Sequence, residues 1–118
     1  MPVSPLAYLR HIIAETAYPI ERTEGVTKDD FLRDETLTRA CIRSPEVIGE
    51  AARSVPEDLK RRNSHVQWRE MAGMRDRLIH GYFSVDYEIV WDAVTNKVPE
   101  LHREVTRIIA EEFRGAEL

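Results

Sequence analysis

Cysteine is almost missing from this 118-residue chain, where Cys41 stands alone. A single thiol excludes an internal disulfide and a cysteine-based zinc site, and it fits a reducing cytoplasm. Long apolar runs are also missing. None nears the ~20 residues of a membrane span, and the start MPVSPLAYLRHIIAE has no basic region or small-residue cleavage site, so neither a membrane partner nor a secretory signal is expected. Five glycines and six prolines are few, and no repeat, low-complexity tract or linker divides the sequence. One domain, 1–118, is the expectation for this length. An excess of positive charge is the last absence: the formal net charge is −4, which argues against a general nucleic-acid coat.

What is present reads as helix. The chain is 42% hydrophobic and 32% charged with both signs mixed, a composition that folds rather than staying disordered. Leu6, Leu9, Ile13, Ala17 and Ile20 recur at helical steps after Ser4-Pro5, a good helix start, and Pro19 should kink or end that helix. Glu24-Gly25-Val26 reads as a turn. Thr27, followed by Asp29 and Asp30, opens a second helix whose stripe runs from Phe31 to Val55, with a kink or split expected at Ser44-Pro45. Pro56 to Leu59 begins a short helical turn, and Asn63-Ser64 reads as a break. A third long helix is predicted from about Gln67, with Met71, Met74, Leu78 and Ile79 facing the core and Gly81 near its end. Asp86 caps a last helix with Ile89, Val90, Ala93, Val94, Val98, Leu101, Val105, Ile108 and Phe113 along its stripe, bent at Pro99. The class is all-α, an antiparallel four-helix bundle with kinked helices.

Charge is uneven along the chain. Between Lys60 and His80 six basic residues face two acids, so this window is +4 and the remainder of a −4 chain is −8. It contains Arg75-Asp76-Arg77-Leu78-Ile79-His80-Gly81-Tyr82. Asp76 and His80, four apart, share a helix face, as do Arg77 and His80, three apart. Arg75 and His80 are five apart, about 140° around an ideal helix. Bringing both to one atom needs a loosened helix, a long arginine reach, or a second copy of the chain in a symmetric dimer. These residue types suit RNA phosphodiester cleavage without a metal: an imidazole can move protons to and from ribose and leaving oxygens near neutral pH, and arginine forks match phosphate oxygens. On spacing alone, a histidine capping a helix end is the better reading.

The surrounding stretches add to this. Arg75, His80 and Tyr82 form Arg-x4-His-x-Tyr. With Ala40-Cys41-Ile42-Arg43, Val47 to Ala52, Trp68 to Asp76 and Val85 to Trp91 around it, the chain resembles the HEPN superfamily, and within it the HepT-like toxins of toxin–antitoxin pairs, over roughly residues 27 to 110. The resemblance implies a helical homodimer built around the motif helix, with a metal-independent ribonuclease site in the cleft and Arg75 and His80 catalytic. Asp76 stands where many relatives carry Asn; a carboxylate there repels phosphate yet could raise the pKa of His80. Asp76 and Arg77 are supporting residues. Tyr82 matches the tyrosine that a minimal nucleotidyltransferase, the MntA-type antitoxin, adenylylates in some pairs, which brings phosphate and bulk into a site built for RNA. No cofactor is implied.

Lys60, Arg61 and Arg62 are candidates for steering RNA, with a plain solvated face as the other reading. Trp68 and Trp91 are expected as core anchors. Gly49 and Gly73 suggest close helix approach, and Glu50 is a conjectured buried partner for an arginine of the motif helix. His11, His65 and His102 receive no ligand role. The alternative function is a non-catalytic HEPN module that binds a nucleotidyltransferase or a nucleotide. DNA binding by a helix-turn-helix fits poorly, because the basic window has no short recognition helix after a tight turn.

Overall fold

A computed structural model describes residues 4–78 and 85–113, with the side chains of Arg75 and Leu78 outside that description. All its regular elements are helical: α1 (Pro5–Thr23), α2 (Lys28–Arg33), α3 (Glu35–Ser54), α4 (Glu57–Arg62), α5 (Trp68–Ala72), α6 (Met74–Leu78), α7 (Tyr87–Asp92), a π-helical segment (Ala93–Lys97) and α8 (Val98–Glu112). There is no strand among the described residues. The all-α class therefore holds, and no helix is long and apolar enough to cross a membrane among the described residues.

The helix starts follow from short side chains that accept otherwise unsatisfied amide hydrogens. The Ser4 hydroxyl accepts from the Ala7 amide at 3.2 Å, Thr27 from Asp30 at 3.1 Å and Asp86 from Ile89 at 3.2 Å. Gly25 has φ 76°, the left-handed value that the turn between α1 and α2 requires. The expected second helix divides at Asp34 rather than at Pro45. The Asp34 amide closes α2 on the Phe31 carbonyl at 3.1 Å, and its carboxylate opens α3 by accepting from Leu37 at 3.0 Å. Pro45 and Pro19 both lie inside continuous helices, on buried positions.

Two further expectations change. The third long helix is broken at Gly73 into α5 and α6. The last helix meets Pro99 with a π turn: the Val98 amide bonds to the Ala93 carbonyl five residues back, and Pro99 follows directly in the first turn of α8, where it has no N–H to give to the preceding turn. Ile89, placed on the core stripe from the sequence, is 42% exposed.

Burial is divided between two clusters. In the larger, α1 packs against both α3 and α8, with Leu9, Ile12, Ile48, Val105, Ile108 and Met71 among its members. Each such side chain contributes roughly 1.5–3 kcal/mol by leaving water. The Thr16 hydroxyl lies 3.0 Å from the Ile13 carbonyl oxygen and shares a 2.7 Å hydrogen bond with His102 Nδ1, tying α1 to α8. The smaller cluster holds Phe31, Cys41, Met74, Val90 and Val94, with the Trp91 ring 5.1 Å from that of Phe31. Burial, with Asp34 adding to it, pushes the Cys41 thiol up to about 11, so it stays neutral and behaves as a small apolar residue. Trp68 is buried in the larger cluster and Trp91 is half-buried against the smaller one; both are anchors as expected.

Candidate active site

The arm that carries the motif begins at Trp68. Its indole N–H donates to the Asn63 carbonyl at 3.0 Å, which fixes the start of α5 to the end of α4. At the other end of α5, two contacts from α3 set the break. A Cβ on Gly49 would lie 3.1 Å from the Ala72 carbonyl oxygen, so glycine lets α5 approach a few tenths of an ångström closer than a larger residue would. Arg53, one turn further along α3, donates to the same oxygen at 3.0 Å. The close approach expected of Gly49 is thus realised within one chain. Gly73 is different, because a Cβ there would meet only its own preceding turn, at 3.5 Å; it marks the break. Glu50 is exposed, not buried, and lies 3.8 Å from Arg53 of its own helix.

Across the break, Met71 packs into the larger cluster and Met74 into the smaller. The Arg77 guanidinium reaches back to donate to the Glu70 carbonyl at 3.4 Å. Arg75 therefore sits in the first turn of a new helix, α6, rather than midway along a straight one. The line from Arg75 to His80 was the geometric difficulty in the sequence, and His80 and Tyr82 lie outside the described residues, as does the Arg75 side chain. Asp76 is exposed on α6. Arg77 is exposed and, together with Met74 and Lys97, lines a cleft between α6 and the π segment.

The three cations of α4 separate. Arg62 is held by Glu112 at 2.7 Å and by Asp58 at 3.4 Å. Arg62, with the Asn63 amide, keeps the Glu112 carboxyl below the usual carboxylate range against desolvation. Its charge is thus engaged in joining α4 to the end of α8. Lys60, 3.8 Å from Glu57, and Arg61 instead line a groove of about 710 Å³ with Arg53 and Arg69. Arg53 and Lys97 were missed from the sequence. Arg53 falls four residues after Gly49 on the same helical face, a signal that could have found it; Lys97 reaches the cleft through the π turn, for which the sequence holds no such signal. Among the described residues, no three His, Cys, Asp or Glu side chains are placed to hold a metal ion.

A family model described as Ribonuclease HepT-like matches residues 8–108. The chain belongs to the HepT-like ribonuclease family. Relatives of this HepT-like chain cover most of its length. A protein of Caldanaerobacter subterraneus subsp. tengcongensis, named as a candidate RNase, is 45% identical over 109 residues, 92% of this chain and 97% of that one. A protein of Methanocaldococcus jannaschii with a name of the same kind is 46% identical over 103 residues, 87% of this chain and 85% of its own. "Probable ribonuclease HepT" of Thermococcus cleftensis is 46% identical over 90 residues, 75% of this chain and 82% of that one. No solved structure matches the chain.

Proposed function

We propose that this HepT-like chain is a metal-independent endoribonuclease, the toxin of a toxin–antitoxin pair. The observation that carries this reading is that Arg75-x4-His80-x-Tyr82 lies inside the family match over residues 8–108. In this reading His80 takes the proton of a ribose 2′-hydroxyl, whose oxygen attacks the adjacent phosphorus. Arg75 stabilises the charge that develops on the phosphate oxygens, and the departing 5′-oxygen is protonated as its bond to phosphorus breaks. A dimer of helical bundles, paired along the α6 region, supplies a second Arg75 and His80 to the cleft. Asp76 and Arg77 support this site. An MntA-type nucleotidyltransferase antitoxin silences it by adenylylating Tyr82, which adds negative phosphate where RNA phosphate must bind.

The test is cleavage of RNA by purified protein in EDTA. His80→Ala is expected to lower the rate by about 10²–10⁴-fold, and Arg75→Ala by about 10²–10³-fold. No cleavage by the wild type, or equal cleavage by the His80 variant, overturns the enzyme in favour of a non-catalytic module. Intact mass after incubation with ATP and the nucleotidyltransferase should show an adenylyl gain that Tyr82→Phe abolishes. Light scattering at micromolar concentration should return a dimer; a monomer active at the same concentration overturns the shared cleft.

A further inference from the structure

The groove between α3, α4 and α5 has no part in the chemistry just described. Arg53, Lys60, Arg61 and Arg69 converge on it from three separate helices, while its described walls carry only two acids, Glu57 and Glu70. Its volume of about 710 Å³ lies in the range of ordinary ligand sites. Neighbouring cations on α4 and α8 are engaged in ion pairs. Arg62 bonds Glu112 and Asp58, and Arg107 bonds Glu104 and Glu111. Arg61 and Arg69 are exposed, yet neither pairs with an acid among the described residues.

We propose that this groove is a second phosphate site, which grips the backbone of an RNA strand at a nucleotide other than the one being cut. Arg61 and Arg69 make the main contacts, and Lys60 and Arg53 add positive potential along the rim. The proposal rests on the ribonuclease reading above. Two observations favour an RNA backbone over an acidic protein surface. Three of the four cations are arginines, whose planar forks match phosphate oxygens. A protein interface centres on exposed aromatic or aliphatic anchors, and among the described residues the exposed large apolar ones, Tyr18, Leu32, Tyr87 and Ile89, do not line the groove. The phosphate held here is not the scissile one. Arg69 and Arg75 lie on different helices, α5 and α6, so the groove extends the contact along the strand.

The experiment measures binding of a single-stranded RNA of about twenty nucleotides in the His80→Ala background, and cleavage in the parent. An Arg61→Gln/Arg69→Gln double variant is expected to bind about tenfold more weakly near physiological salt. Its slope of log affinity against log salt should fall by about 1.4, two single-strand phosphate contacts. In the parent the same change should raise KM and leave kcat, and a dinucleotide too short to reach the groove should be cut equally by both. Arg61→Lys/Arg69→Lys should restore most of the affinity, and Arg33→Gln/Arg103→Gln, which removes two exposed arginines elsewhere, should change nothing. Unchanged RNA affinity and slope in the Gln double variant overturns the groove, as does an equal loss on the dinucleotide or weakened binding of the nucleotidyltransferase alone. If the parent neither binds nor cuts RNA, it is the ribonuclease reading that falls.

Discussion

The two sides of the arm that carries Arg75 differ in charge. On the side of α3 and α4, Arg53, Lys60, Arg61 and Arg69 face two acids, Glu57 and Glu70. On the side of α7, the π segment and α8, Arg77, Lys97 and His65 share adjoining clefts with Glu70, Asp76, Asp92, Glu100 and Glu104. Among them, the Glu104 carboxyl is kept below the usual range by Arg107 and, after it, His65. A polyanion is drawn to the first side and repelled from the second. The net charge of −4 hides this contrast, because the sum adds a basic groove to an acidic body. The acidic clefts beyond Arg77 leave the basic groove as the favoured path for a strand leading away from the Arg75 site.

Each side also has its own anchor, and removing an anchor is the most direct way to break the comparison. The largest effect is expected from Phe31→Ala. Phe31 is fully buried in the cluster that seats Met74 on the acidic side, so the variant should lose about 3–5 kcal/mol in denaturant unfolding. A loss below about 1 kcal/mol would mean that this cluster does not hold α6. Next comes Gly49→Val on the basic side. A side chain there meets the Ala72 carbonyl, and the overpacking should cost about 1–3 kcal/mol while shifting α5 and the Arg69 it carries. Weakened RNA binding in the folded variant, with the Arg75 chemistry retained on a dinucleotide, would assign the damage to the groove side.

A smaller effect sharpens the contrast through pH. Glu112 supports the basic side by accepting from Arg62 and from the Asn63 amide, the latter at 2.5 Å. Its folded pKa lies below the ordinary 4.5. The stability it contributes is therefore complete above about 4.5 and is lost as pH falls through the folded value. Glu112→Gln should cost about 1 kcal/mol at pH 7, seen as a Tm lowered by a few degrees. That gap should close in strong acid. A gap that persists there would mean that the carboxylate's charge is not what joins α4 to α8.

Local signals were readable in the sequence, and tertiary ones were not. Ser4, Thr27 and Asp86 were legible as helix starts because a cap needs only a short polar side chain and an amide three residues on. Asp34 was hidden among the acids, since Asp29 and Asp30 could equally have been caps. Pro45 misled because its penalty is local, whereas the packing of α3 against α1 that overrides it is not. Gly49 and Gly73 looked alike in sequence; only the position of Ala72 distinguishes a close approach from a break. Ile89 left its predicted stripe while Val90 kept to it, because an α-helical count back to Ile89 from Val98 turns by about 900°, half a turn off the Val98 face. The motif residues were legible as chemistry and through family resemblance. The groove was half legible, since Lys60 and Arg61 were read from the charge run, while Arg53 joins them only when α3 and α5 meet.

The smallest expected effect asks what makes the break between the two sides. If glycine's freedom makes it, replacing Gly73 should fuse α5 with α6 and turn Arg75 to a new direction. The geometry argues otherwise. Gly73 has φ −91° and ψ 1°, a conformation open to alanine, and the added Cβ would meet nothing closer than 3.5 Å. The break is instead set by its surroundings: Arg53 holds the Ala72 carbonyl, Arg77 reaches back to Glu70, and Met71 and Met74 are committed to different clusters. Gly73→Ala should therefore stabilise the protein by about 0.4–1 kcal/mol by restricting the unfolded chain, with RNA cleavage unchanged. A variant that gains this stability but loses cleavage would show that the glycine, and not the packing on either side of it, keeps α6 apart from α5.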